Sequence, residues 1–266
     1  MVDEPKYREI ASDFEDKIKS GEEGWAPGDR LPPDGELAAT YKASRNTVRQ
    51  AIAFLLNRGV LEKEATGATL VRKPVDPFVT VVSADTGFGG FEGAAYESDV
   101  QAMNRRPAVT TPRVEIQEAS GEIATELQLD QGSEVVIRHQ ERYIDDELWS
   151  MQTSYYPMSF VARGANRLLA VKDIAEGTRR YLDEAIDIKE IGSRDTMKVR
   201  APNPIEAERF KIPEDGRIAV FETRQVGVDP SGASVRVTIT IYPSDRNTFS
   251  MDTGELAERP PPGESS

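Results

Sequence analysis

Apolar residues recur every three to four positions through the first sixty residues, and this spacing predicts three helices. Tyr7, Ile10, Phe14 and Ile18 make the buried stripe of the first. Leu37, Ala38 and Tyr41 fit a second, short helix that ends just before Ala43, and Val48, Ala51, Ile52 and Leu55 line one face of a third. Ser44 stands where the third helix needs an N-cap, because its hydroxyl can accept from a free backbone N–H of the first turn. Two helices joined by so short a turn read as a helix-turn-helix. Gly59 stops the third helix, and Leu61–Lys63 and Thr69–Val71 then read as two short strands around a Thr66-Gly67 turn. Three helices followed by a small hairpin predict a winged helix-turn-helix.

Beyond Arg72-Lys73-Pro74-Val75-Asp76-Pro77 the period changes. Each proline there biases its predecessor toward an extended backbone, so residues 74–80 are expected to act as a semi-stiff linker. Residues 113–117 read as a strand and 120–127 as a short helix. Residues 135–143 and 149–156 read as a hairpin turning at Asp145-Asp146. A helix over 173–185, a strand over most of 186–199 and a helix over 204–210, begun by Asn203, come next. A second hairpin joins 218–228 to 233–242 through Asp229-Pro230-Ser231-Gly232. Hairpins interleaved with helices predict an α+β fold on a largely antiparallel sheet. The expected organisation is a winged helix-turn-helix over 1–73, the linker, an α+β domain over 81–255, and a disordered tail over 256–266 that includes Pro260-Pro261-Pro262.

Charge sharpens the division. The chain has 266 residues and a formal net charge of −13, but residues 1–75 carry 12 basic and 13 acidic side chains against 21 and 33 in the remainder. Between Lys42 and Leu61 there are four basic residues (Lys42, Arg45, Arg49 and Arg58) and no acid. A locally basic, helix-forming island in a polyanionic chain points to a surface that meets phosphate, and the overall acidity argues against indiscriminate nucleic-acid binding. The chain has no cysteine, which excludes disulfides and thiolate metal sites and fits a cytoplasmic protein. No stretch approaches the roughly 18 apolar residues of a membrane span, and the N-terminus lacks a signal-peptide pattern.

The island has suitable chemistry. Arg45 and Arg49, four apart, share a face distinct from the apolar one. The first turn of a recognition helix enters the major groove, where arginine can bond a guanine O6/N7 edge in bidentate fashion. Ser44 and Thr47 can support phosphate contacts that set register without reading sequence.

The run Pro27-Gly28-Asp29-Arg30-Leu31-Pro32, then Glu36-Leu37-Ala38, then Ser44-Arg45-Asn46-Thr47-Val48-Arg49-Gln50-Ala51 resembles the DNA-binding domain of GntR-family bacterial transcription regulators. The resemblance implies operator contacts by Arg45 and Arg49. Ser44, Asn46, Thr47, Lys42, Lys63 and Gly67 complete the expected DNA-binding set. Two positions depart from the family pattern: Gly35 stands where an arginine is usual, and the wing reads Thr66-Gly67-Ala68 rather than glycine-basic-glycine.

Residues 80–252 are similar to the UTRA ligand-binding domain of the HutC subfamily of those regulators, a fold shared with chorismate lyase. The matching pieces are an Arg-bearing strand, Thr153-Ser154-Tyr155-Tyr156-Pro157, Pro202-Asn203-Pro204-Ile205-Glu206-Ala207, and Tyr242-Pro243-Ser244-Asp245-Arg246. By strand alternation Arg138, Gln140 and Arg142 share one face. Members that bind sugar phosphates hold the phosphate with an Arg-x-Arg pair, which falls here on Gln140 and Arg142. Two family glutamates fall on Gln152 and Arg236, and a pocket tyrosine falls on Tyr242. Half of the phosphate clamp is therefore missing, and Arg142 with Arg236 suits a carboxylate or other polar anion.

The expected function is a ligand-responsive regulator, a repressor, that binds double-stranded operator DNA as a homodimer and responds to a small polar or anionic effector. It needs no cofactor or metal and has no membrane partner. Two other readings stay open: an acidic domain that serves protein interaction, and a lyase-like enzyme. Against catalysis, Asp145-Asp146 falls in a turn that favours Asp, and the single histidine, His139, offers no triad or metal set. The run Gly87-Phe88-Gly89-Gly90-Phe91-Glu92-Gly93 matches neither a P-loop nor a dinucleotide fingerprint and is expected to be a loop or lid.

Overall fold

A computed structural model of the chain describes residues 5–64, 67–73, 77–82, 94–213 and 218–251. Pro74 to Asp76 of the expected linker, Thr66 of the wing, the Gly87–Gly93 run and the 256–266 tail lie outside the described residues. The chain divides into two compact units, residues 1–76 with 213–218, and residues 77–212 with 219–266.

The first unit holds α1 (Lys6–Ser20), α2 (Asp34–Thr40), α3 (Arg45–Asn57), β1 (Leu61–Lys63) and β2 (Thr69–Val71). Its core is built from the predicted stripes: Ile10 and Phe14 of α1, Leu37 of α2, and Val48, Ala51, Ile52 and Leu55 of α3 close around Trp25, Leu61 and Val71. Tyr7 and Ile18 pack at the edge of this core rather than within it. Arg58 caps α3, and Gly59 follows in the left-handed region at φ +69°, where glycine carries no Cβ penalty. β1 and β2 pair antiparallel as the predicted wing, with Leu61 opposite Val71 and Lys63 opposite Thr69.

The second unit begins with β3 (Phe78–Val82), so residues 78–80 of the expected linker lie in a strand. There follow α4 (Ala94–Ala102), β4 (Pro107–Val109), β5 (Arg113–Glu118), α5 (Gly121–Glu126), β6 (Glu134–Ile144), β7 (Glu147–Pro157), α6 (Met158–Ala162), a 3-10 turn (Asn166–Leu169), α7 (Thr178–Ile186), β8 (Gly192–Arg200), α8 (Pro204–Phe210), β9 (Val220–Val228), β10 (Ser234–Pro243) and β11 (Asn247–Met251). Seven strands form one antiparallel sheet in the order β4-β6-β7-β10-β9-β8, with β5 also paired to β6. β11 and β3 make a separate parallel pair.

Both predicted hairpins form. Asp145 and Asp146 sit at φ +52° and +69° between β6 and β7, and the left-handed backbone suits Asp and matches the twist of a two-residue hairpin turn. Two elements differ from expectation. The helix predicted over 173–185 starts only at Thr178, after Gly177 at φ +84°. The strand predicted over 186–199 starts at Gly192, because Asp187 turns left-handed at the end of α7 and residues 188–191 are coil.

The pleat sorts side chains between the two faces of the sheet. One face carries Val135 of β6 and Val237 of β10 against Ile123 and Leu127, with Ile137 and Ile239 at the margin. The other is polar across several strands, with Arg138, Gln140 and Arg142 opposite Ser154, Gln152 and Ser150, and Thr238 and Thr240 beyond them. Its apolar cover comes from Val136, Tyr156, Leu168, Ile174, Tyr181 and Leu182. A mostly polar interior face is where a sheet domain can hold a polar molecule.

Candidate functional site

The exposed face of α3 starts at its cap. Ser44 Oγ accepts from Thr47 N–H at 3.1 Å and lies 2.8 Å from Thr47 Oγ1, so both hydroxyls sit at the first turn. Lys42, at φ +46°, makes the tight bend before that cap. Lys42, Ser44, Arg45, Asn46 and Arg49 are exposed, and Thr47 is half-buried. Arg49 Nε donates to Asp34 Oδ2 at 2.7 Å. Arg45 lies against Gly35, whose Cβ, were there one, would be 3.2 Å from Arg45 Nη2. On the wing, Lys63 Nζ donates to Thr69 Oγ1 at 2.7 Å and to the Gly67 carbonyl at 3.3 Å. Gly67 is exposed at φ +87°, a conformation that excludes most side chains. The predicted DNA-binding set thus falls into two groups, one around the start of α3 and the other on the wing.

In the second unit a cleft opens on the polar face of the sheet. Arg138, Gln140 and Arg142 line it, as the strand period predicts, with Gln152 as the resemblance implies, and with Tyr96, Glu97, Ser154, Tyr156 and Asp173. Ser154 stands two positions from Gln152 on the same strand, so alternation puts it on the same face. Tyr96 comes from α4 and Asp173 from a loop, and neither carries a local signal.

The three arginines of this face have different circumstances. Arg138 is buried and donates to the carbonyls of Leu168, Ala170 and Lys172 at 2.8, 2.9 and 2.8 Å, pinning that loop. Burial pushes its pKa down. Arg236 does not line the cleft, which corrects the expectation that it joins Arg142 in holding an anion. Its guanidinium is bonded by Glu190 at 2.8 and 3.1 Å, by Gln225 at 2.7 Å and by Thr238 at 2.6 Å. Glu190 reaches it from coil where the sequence predicts strand, 46 positions away. Arg142 is 6% exposed and donates to Gln152 Oε1 at 2.6 Å. The Tyr96 ring lies 5.1 Å from its guanidinium carbon. Among the described residues no carboxylate pairs with it. Gln140 faces the rim, donating to Asp173 Oδ1 at 3.1 Å and to the Thr110 carbonyl at 3.3 Å.

Tyr242 is likewise absent from the cleft lining. It is 4% exposed and packs edge-on against Phe249, ring centroids 5.1 Å apart, and burial pushes its pKa up. His139 lies on the other face, 2.9 Å from Thr153 Oγ1, with its pKa lowered by burial. Asp145 accepts from Arg105 Nε at 2.7 Å and from the Arg106 backbone at 2.9 Å, which makes the Asp145-Asp146 pair a turn device. Among the described residues no group of His, Asp and Glu could hold a metal ion, and no helix is long and apolar enough to cross a membrane.

Known proteins carry the same two parts. Residues 6–71 match the model of bacterial regulatory proteins of the gntR family, and residues 102–248 match the UTRA domain. The HTH-type transcriptional regulator YurK of Bacillus subtilis is 28% identical over 169 residues, spanning 61% of this chain and 65% of that protein. A protein of Escherichia coli K12 named as the probable fructoselysine utilization operon transcriptional repressor is 25% identical over 229 residues, 85% of this chain and 86% of that one. These relatives are named as regulators rather than enzymes. Among solved structures, a GntR-family transcriptional regulator superposes with a TM-score of 0.58 at 20% identity, covering 96% of this chain and all of that one. PhnF of Mycobacterium smegmatis superposes with a TM-score of 0.54 at 19% identity, covering 93% and 100%. At such identities the superpositions establish the shared fold. With an N-terminal gntR-type DNA-binding domain and a C-terminal ligand-binding domain that matches over more than half its length, the chain belongs to the UTRA-domain regulators of the gntR family.

Proposed function

We propose that this protein is a cytoplasmic repressor that binds operator DNA as a homodimer and changes its affinity when a small anion enters the sheet cleft. The repressor direction follows the name of the Escherichia coli relative. The dimer follows from the economy of two-fold operator recognition. Arg45 and Arg49 read bases, with Lys42, Ser44, Asn46, Thr47, Lys63 and Gly67 supporting the backbone.

The observation that carries the effector reading is Arg142. A guanidinium 6% exposed, bonded to a neutral amide and faced by an aromatic ring, has no ion pair among the described residues, although Glu97 and Asp173 line the same cleft. Leaving such a charge uncompensated is costly, and an incoming carboxylate or phosphate supplies what is missing in bidentate geometry. Arg138 and Arg236 do not make the same demand, since carbonyls and Glu190 already occupy them.

The test titrates a panel of carboxylate and phosphate metabolites into the protein bound to labelled operator, followed by fluorescence anisotropy. The expected result is an anion that shifts operator affinity, with the shift lost in Arg142→Gln. Coupling must be reciprocal, so operator DNA changes the anion's affinity by the same factor. An anion that acts equally on Arg142→Gln sinks the assignment of this arginine.

A further inference from the structure

We infer that Asp34 is a positioning residue for sequence readout by Arg49, and that the Asp34-Gly35 dipeptide at the start of α2 sets the disposition of both reading arginines. The inference rests on the reading of Arg45 and Arg49 as base contacts.

Asp34 and Arg49 are 15 residues apart and belong to different helices, yet Arg49 Nε meets Asp34 Oδ2 at 2.7 Å. The side chains are 37% and 67% exposed, and an ion pair so open to water contributes little to stability. Its effect is on geometry. A guanidinium has five N–H donors in a rigid fork. With Nε held by Asp34, the two terminal nitrogens stay free, and they are the end that can straddle guanine O6 and N7. A long side chain that would otherwise sample many rotamers is presented in one.

The same carboxylate discriminates against the wrong contact. A phosphate that takes Arg49 must come close to Asp34 and is repelled by it, whereas a base edge carries no net charge. Asp34 therefore weakens sequence-independent binding while it preserves base contact. Gly35 acts on the neighbouring arginine: Arg45 Nη2 and Cζ lie 3.2 and 3.7 Å from where a Cβ at this position would sit. A Cβ there would make the Arg45 guanidinium give way by a few tenths of an ångström. The two residues that open α2 thus touch the two arginines of α3, one by an ion pair and the other by leaving room.

The experiment uses the full chain. The wild type selects an operator from a random duplex library, and affinity is then measured on that operator and on a scrambled duplex of equal length across a salt series. For Asp34→Asn the operator-to-scrambled affinity ratio should fall about tenfold, the scale of one bidentate base contact. Affinity for scrambled DNA should rise and its salt slope steepen by about one, because Arg49 is released to a phosphate. Asp34→Glu should recover part of the ratio. A merely structural role would lower both affinities together. Equal changes on both duplexes, in either direction, would overturn the inference. Arg49→Ala separates it from its premise. If that variant keeps the ratio, or if the library yields no enriched sequence, the base-reading premise fails. If Arg49→Ala abolishes the ratio and Asp34→Asn leaves it intact, only the role of Asp34 is refuted.

Discussion

Arg49 of the helix-turn-helix is 67% exposed and held by one carboxylate, whereas Arg236 of the sheet domain is 3% exposed and bonded by Glu190, Gln225 and Thr238. The same residue type does opposite work in the two units. In the first, an arginine on a helix surface uses one donor on a carboxylate and leaves the rest toward solvent. In the second, burial forces each guanidinium to be satisfied from within, and Arg138 and Arg236 are spent on the fold. Arg142 is the exception: among the described residues its one hydrogen-bond partner is Gln152, where Arg138 holds several carbonyls and Arg236 a carboxylate. What separates these arginines is therefore how many of their donors the fold already occupies, which their place in a pattern does not tell.

The comparison can be pushed hardest at Glu190. Replacing it by alanine strands the Arg236 charge, and the second unit should lose about 3–5 kcal/mol. The check is urea unfolding followed by fluorescence in a Trp25→Phe background, where the buried Trp149 reports alone. A loss below about 1 kcal/mol would mean that the interior tolerates a guanidinium without a carboxylate, and Arg142 would lose its special standing.

The converse belongs to the head. Arg45→Ala or Arg49→Ala should each cost about 1–3 kcal/mol on operator DNA, with no change in the unfolding midpoint. Equal loss on operator and random DNA would demote the residue to a phosphate contact. Ser44→Ala should cost about 1 kcal/mol of stability through loss of the cap on Thr47 N–H, seen as a lower midpoint for the first unit when Trp25 is followed in a Trp149→Phe background.

The smallest effect is expected in pH dependence. Burial raises the pKa of Glu141, but hydrogen bonds from Arg209 and Tyr143 outweigh it and leave the carboxyl below its ordinary 4.5. A depressed carboxylate contributes stability above its unfolded pKa and loses it as pH falls through the folded value. Glu141→Gln should therefore be less stable near neutral pH, by about 1 kcal/mol or less, since the Arg209 side chain is half open to water. The deficit should vanish on acidification, and a constant deficit across pH would assign the loss to packing.

The head was legible because its determinants are local: a capping serine, an apolar stripe, a glycine stop and a short hairpin all act within a few residues of one another. Strand alternation also placed Arg138, Gln140 and Arg142 together on one face, and the family resemblance added Gln152. What alternation could not reveal was which arginine is occupied. Arg138 is bonded by carbonyls 30 to 34 positions away, and Arg236 by a glutamate 46 positions away. Tyr96 and Tyr242 show the same limit. One reaches the cleft from a helix with no clear apolar stripe, and the other was assigned to the cleft by family position but packs against Phe249.

The pairing of β3 with β11 has a consequence for synthesis. Phe78 finds its partner in Asn247, 169 positions later (247 − 78). At the usual roughly 5–20 residues per second, a ribosome needs on the order of 10–30 s to make that stretch. The helix-turn-helix, whose core closes between Ile10 and Val71, can fold as it emerges. The strand next to it in sequence must wait, its edge unsatisfied, until nearly the whole sheet domain has been translated. During that interval the nascent chain has a folded DNA-reading head and an unfinished sensor, so newly made molecules pass through a stage at which operator affinity is not yet under effector control.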